Sequence, residues 1–179
     1  VAPRMPRTLR REDGSGVTSA EDGVRRGVRP PRRRPDGLSW RMPSTAVIST
    51  RGSRRWQGGH PWIFRSDVEH RPSTPAGIVP IEGPDGAPLG FALWSPLSEI
   101  SLRRIETDLS RTPDAAWWHE KLRTAIARRA LLASDANAYR LVHGEGDGLP
   151  SLVVDKYGDV LVVQLLSAGV DAWTDTIVS

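Results

Sequence analysis

The chain has 179 residues, 38% hydrophobic and 26% charged, with 17 Gly, 15 Pro and no Cys, which is enough for one domain or two small ones. Without cysteine, a disulfide framework, a thiolate zinc ribbon and a thiol nucleophile are excluded for these residues. Charge is uneven: residues 1–43 hold 11 Arg against 5 acids, and the remainder holds 14 Lys or Arg against 16 acids, so the net +4 resides in the first segment.

That first segment contains Arg10-Arg11, Arg25-Arg26 and Pro30-Pro31-Arg32-Arg33-Arg34-Pro35, and no hydrophobic period of 2 or 3.6. Its 11 apolar residues in 43 cannot offset the entropy of ordering its backbone, so residues 1–43 are expected to be a disordered basic Arg/Pro-rich tail. An arginine-rich arm can neutralise nucleic-acid phosphates. The chain begins with Val1, however, and Met42 stands just before the first patterned residues, so upstream sequence translated ahead of the fold is the favoured reading. Apolar runs such as Val160-Leu161-Val162-Val163 are far shorter than the ~20 residues that span a bilayer. Residues 1–30 carry no signal-peptide core, and a cytoplasmic, membrane-free protein is expected.

From Thr45 the pattern turns β-rich, with strands expected at Ala46–Thr50, Gly77–Gly83, Pro88–Ser95 and Ile100–Glu106, each bounded by Gly or Pro. Gly83-Pro84-Asp85-Gly86 supplies a tight turn between the second and third. This suggests a small barrel at 44–108, with an irregular stretch between its first two strands that contains the aromatic-rich Gly58 to Phe64. Thr112-Pro113-Asp114 offers a cap, a proline at the first helical position and an acid against the dipole, starting a helix to about Ala133. Trp118, Leu122, Ala125, Ile126 and Leu132 or Ala133 form its core-facing stripe. Ser151–Lys156 and Val160–Leu166 then form a hairpin through Tyr157-Gly158-Asp159, and the second strand, apolar on both faces, is expected inside a sheet. Ala168–Ser179 begins another helix and stops within it, which suggests truncation. The expected class is α+β: a small barrel followed by an α/β linker domain with a β-hairpin at 109–179.

Two stretches carry candidate chemistry. In Arg140 to Pro150, three glycines alternate with Glu145 and Asp147. A phosphate loop there fails, because the acids oppose phosphate and the loop leads into a strand where a dinucleotide fingerprint needs a helix. His143, Glu145 and Asp147 have metal-ligand atom types, but the favoured reading is structural, with glycines taking positive φ and acids capping backbone amides. The second stretch sets Arg54 and Arg55 beside His60 and Trp62, two bases and two rings able to stack on RNA and hold its backbone. Trp62, Ile63 and Phe64 equally suit a barrel plug, and the pattern leaves both readings open. No catalytic triad, acid pair or P-loop can be assembled from the remaining residues.

The segments Arg55 to Phe64, Leu89 to Pro96, Ile100 to Arg103 and Tyr139 to Pro150, in that order, resemble one family, and the likeness continues through Leu152 to Gly158 and Gln164 to Gly169. It is the class I S-adenosylmethionine-dependent 23S rRNA (cytosine-C5) methyltransferases with an N-terminal PUA domain. The resemblance implies a PUA-type RNA-binding barrel at 44–108, a linker domain at 109–179, and ribosomal RNA as partner; the local basic and aromatic cluster of Arg54, Arg55, His60 and Trp62 is where the RNA contacts are expected. It further implies that S-adenosyl-L-methionine serves the parent enzyme through a Rossmann-like domain carrying the cysteine nucleophile. That domain is not in this sequence, so no catalytic, cofactor-binding or metal residue is assigned and this chain alone is expected to bind no cofactor. The alternatives are a free-standing PUA-type adaptor without enzymatic activity and a PUA domain attached to a pseudouridine synthase or transglycosylase. One departure stands out: Ser151 occupies the place after Leu149-Pro150 where the family has glycine, so strain is expected there.

Overall fold

Ala46, Val47 and Ile48 form a fully buried three-residue strand, β1, from which the barrel is organised. The computed structural model describes residues 44–179, and the tail expected over 1–43 lies outside the described residues. The other barrel strands are β2 (Trp62–Ile63), β3 (Val68–His70), β4 (Gly77–Glu82), β5 (Pro88–Trp94) and β6 (Leu102–Glu106). Their order is β2-β6-β5-β4-β1-β3, a six-stranded, nearly closed sheet. Strand β1 runs parallel to β4 and antiparallel to β3, and all other pairs are antiparallel.

The four strands expected from Gly and Pro boundaries are present, each shortened at one end by one or two residues. The stretch between the first two is not irregular. Ser49 caps an eight-residue helix, α1 (Thr50–Gln57), its Oγ accepting from Gly52 N at 3.1 Å. Of its residues only Gly52 and Trp56 are buried, so its sequence carries almost no apolar stripe. A Cβ at Gly52 would lie 3.1 Å from Ile48 Cβ and 3.3 Å from Asp67 Cβ, so glycine lets the helix lie against β1.

Alternation along β5 divides the molecule into two cores. Ala92 and Trp94 face inward with Ile48, Trp56, Ile63, Val79, Ile81 and Leu102. Leu93 faces outward and joins Ile105, Trp117, Trp118, Leu141, Val142, Leu149, Leu152 and Val170. The second core lies under helix α2 (Ala115–Ala127) and a three-stranded antiparallel sheet of β7 (Ala138–His143), β8 (Leu152–Tyr157) and β9 (Val160–Leu165), in that order. Helices α3 (Ala168–Asp171) and α4 (Thr174–Val178) close it.

Several expectations are corrected here. The cap of α2 is Asp114, whose Oδ1 accepts from Trp117 N at 2.9 Å, and not Thr112. The helix ends at Ala127, where Arg129 Nη1 bonds Ala125 O, and a 3-10 segment follows, so Leu132 leaves the stripe and is 46% exposed. Ile126 is 47% exposed, while Trp117, outside the expected stripe, is buried. The beginning of the glycine stretch, through His143, is strand β7 and not loop. Strand β9 is at an edge: it pairs with β8 alone, and five of its six residues are exposed.

Candidate nucleic-acid interface

Helix α1 presents its arginines in different directions because consecutive helical residues lie about 100° apart. Arg51 and Arg55, one turn apart, turn to Asp67, which is 1% exposed. Arg51 Nε donates to Asp67 Oδ1 at 2.5 Å, and Arg55 Nη1 lies 3.4 Å from Oδ2. The Arg55 guanidinium also sits 5.1 Å from the centroid of Phe64. Arg54 points elsewhere, exposed, on a depression of about 330 Å³ shared with Thr50, Ser53, Gln57 and the Gly83-Pro84-Asp85 turn.

His60 and Trp62 come together. Their rings meet edge to face at 6.1 Å between centroids, and Trp62 N donates to His60 Nδ1 at 3.1 Å. Ile63 alone is fully inside the barrel, whereas Trp62 is half-buried on the outside, so the plug reading holds for Ile63 and not for Trp62. Arg104 fixes the α1 end of this surface, donating to Trp56 O at 3.2 Å and Gly59 O at 2.9 Å. Of the four residues expected to touch RNA, His60 and Trp62 form a pair, Arg55 belongs to the Asp67 cluster, and Arg54 stands on the neighbouring face.

The acidic loop reaches this surface. Trp62 Nε1 donates to Glu145 Oε1 at 2.8 Å across 83 residues of sequence. Asp147 is instead internal: its carboxylate pairs with Arg129 at 2.8 Å and Arg128 at 3.3 Å and accepts from His143 N at 2.7 Å. Burial alone would raise the Asp147 pKa, but the bonds from Arg129, His143 and Arg128 outweigh it and hold it below its ordinary value. The capping role expected for this acid is thus present at Asp147. Gly144 and Gly148 adopt positive φ (47° and 70°), as the loop reading requires, whereas Gly146 does not. Among the described residues no three His, Asp or Glu side chains are grouped to hold a metal.

Nor does this loop suit a nucleotide cofactor. It coils as a 3-10 turn between two antiparallel strands, where a dinucleotide fingerprint needs a helix N-terminus, and its Asp147 is already paired with Arg129. The residues that sequence reasoning missed are Arg51, Asp67 and Arg104, and Glu145, read there as a metal-type or capping acid, instead accepts from Trp62. The Ser49 cap followed by arginines at a four-residue interval was the available signal for Arg51, and nothing local marks Asp67 or Arg104.

Residues 47–107 match the family model of a PUA-like domain. A ribosomal RNA large subunit methyltransferase of Deinococcus radiodurans is 37% identical over 123 residues, covering 64% of this chain and 29% of that protein. Ribosomal RNA large subunit methyltransferase I of Shewanella amazonensis is 39% identical over 124 residues, covering 67% of this chain and 31% of that protein. Among solved structures, a candidate SAM-dependent methyltransferase from Streptococcus mutans matches with TM-score 0.66 at 18% identity, covering 75% of this chain and 36% of that one. A candidate methyltransferase in complex with SAH matches with TM-score 0.65 at 18% identity, over 75% of this chain and 35% of that one. These two likenesses concern the fold. No described helix is long and apolar enough to cross a membrane. The barrel is thus matched to PUA-like domains, and the chain spans about three tenths of the length of the curated relatives it matches.

Proposed function

We propose that this chain is the RNA-binding portion of an S-adenosylmethionine-dependent rRNA (cytosine-C5) methyltransferase of the cytoplasm. It holds large-subunit rRNA for methylation by a separate catalytic domain that also binds the cofactor. The observation that carries the reading is the coincidence of a PUA-like barrel at residues 47–107 with rRNA methyltransferase relatives 37–39% identical over 123–124 residues. In this division of labour the barrel supplies affinity and register, and no described residue takes part in methyl transfer.

The contacts follow from the local chemistry. The exposed Arg54 neutralises phosphate, Arg55 is held in place by Asp67 and Phe64, and the His60–Trp62 pair offers a stacking edge for an unpaired base. Ultraviolet crosslinking to large-subunit rRNA, with mass-spectrometric mapping, tests this. Crosslinks in the peptide covering residues 54–64 are expected. Crosslinks confined to residues 1–43, or none, would overturn the proposed surface.

A further inference from the structure

A cavity of about 280 Å³ lies between the β5–β6 connection and the start of α3, lined by Ser95, Ser98, Arg103, Leu166 and Ser167 among others. Its walls are set by backbone proximity. A Cβ at Gly169 would fall 2.9 Å from both Leu93 Cβ and Trp94 O, so glycine there lets α3 lie directly on β5. Gly169 N in turn donates to Ser95 Oγ at 3.1 Å.

Arg103 stands on the same sheet face as its cross-strand neighbours Leu93 and Trp62, the face that packs against the second core. It is 9% exposed. Its guanidinium donates from Nη1 to Ile100 O at 2.8 Å and enters no ion pair among the described residues, although every other buried charged side chain there has one. The acid it senses most, Glu145, spends Oε1 on Trp62 and lies beyond ion-pair distance. Ser167 Oγ, in the same wall, is buried with no hydrogen-bond partner. Burying a guanidinium with no ion-pair partner is costly, the attraction of Glu145 offsets only part of the desolvation, and a buried hydroxyl without a partner adds to that cost. A site that keeps both around one open cavity is built for a group that arrives from outside carrying negative charge and several acceptor oxygens.

We infer that this cavity binds a phosphoryl oxyanion, held by the free side of the Arg103 fork and by the Ser98 and Ser167 hydroxyls. A tetrahedral phosphoryl group suits the combination, since the guanidinium fork pairs with two of its oxygens and hydroxyls serve the others. The site adjoins the Arg54–Trp62 surface, since Arg103 is the cross-strand neighbour of Trp62, but it rests on a cation that the RNA reading does not use. The oxyanion has two possible sources, a backbone phosphate of RNA or free phosphate, and the experiment separates them.

The test follows the Arg103 Nε–Hε cross-peak of the full 179-residue chain in a nitrogen–proton correlation spectrum, assigned by its loss in Arg103→Lys. Inorganic phosphate is titrated at constant ionic strength. A saturable shift of this peak is expected. Ser98→Asp, which places a fixed carboxylate beside the guanidinium, should raise the midpoint at least about tenfold. A short single-stranded RNA that shifts the same peak and is displaced by phosphate assigns the source to the nucleic-acid backbone; saturation by phosphate that RNA does not affect assigns it to free phosphate. No shift, a shift linear in phosphate, or an unchanged midpoint in the folded Ser98→Asp protein would overturn the inference. Because Arg54 and Arg55 are intact throughout, failure here leaves the RNA reading of the other surface standing.

Discussion

Ser151 is the only non-glycine with positive φ among the described residues, at φ 66°, and the replacement Ser151→Gly should stabilise the fold. A left-handed conformation costs an L-residue about 1–2 kcal/mol, and glycine loses about 0.5–1 kcal/mol more backbone entropy on folding than a residue with a side chain. The Ser151 hydroxyl forms no hydrogen bond among the described residues, so little else is lost. The expected net gain is about 0.5–1 kcal/mol, which at this size raises Tm by roughly 1–4 °C. Gly148→Ala is the matched control: φ is 70° and nothing lies within 4 Å of the added Cβ, so its expected loss of about 1 kcal/mol is conformational alone. Urea denaturation of the two variants measures both. A Ser151→Gly midpoint at or below that of the parent, with Gly148→Ala costing what is expected, would refute the strain argument at Ser151. The position also anchors β9, since Leu166 N donates to Ser151 O at 2.8 Å, so relief of strain should slow amide exchange at Leu166.

A chain starting at Met42 should melt at the same temperature as the full chain, because residues 1–43 offer little apolar surface to bury; a shift of several degrees by calorimetry would make the tail part of the fold. Asp147 and Glu106 both have folded pKa values below their ordinary ones, in each case because hydrogen bonds outweigh burial: those from Arg129 and His143 at Asp147, and those from Trp117, Asp108 and Thr107 at Glu106. Their contribution is therefore complete above about pH 4.5 and is lost as pH falls through the depressed values, so the urea midpoint should be flat near neutrality and drop below about pH 4. Asp147→Asn should weaken that acid dependence. Val162 is 41% exposed on the edge strand β9, whose outer side is open among the described residues, so Val162→Lys should reduce light scattering on concentration with a stability change within about 0.5 kcal/mol.

The parts of this structure legible in the sequence are those in which neighbouring residues decide the outcome. The strands from Gly77 to Trp94 alternate between the two cores, and Asp85-Gly86 turns them, so both appear from period and turn chemistry. Helix α1 escapes because a short helix tucked under a barrel needs only Gly52 and Trp56 inside, and its remaining residues read as polar loop. The error at β9 runs the other way: an apolar strand reads as interior, yet only one of its edges is paired here. At the candidate site, the arginines and rings stand together in the sequence and were visible. Their organisers were not, because Asp67 and Glu145 meet them only through folding, over separations of 16 and 83 residues for the Arg51 and Trp62 bonds. Ser151 was visible only through the family resemblance, which places glycine there, and its positive φ agrees with the strain expected from that departure.

The central claim is that the barrel binds RNA through α1 and the His60–Trp62 pair, and fluorescence anisotropy with an rRNA hairpin tests it most directly. The protein should begin at Met42, so that the eleven arginines of residues 1–43 cannot supply the binding. With two or three phosphate contacts, the log–log salt dependence should have a slope of roughly −2. Arg54→Ala with Arg55→Ala should flatten that slope while leaving the fold intact, and Trp62→Ala should weaken binding at every salt concentration. Affinity and salt slope unchanged in the double variant, or no saturable binding by the parent, would contradict the account.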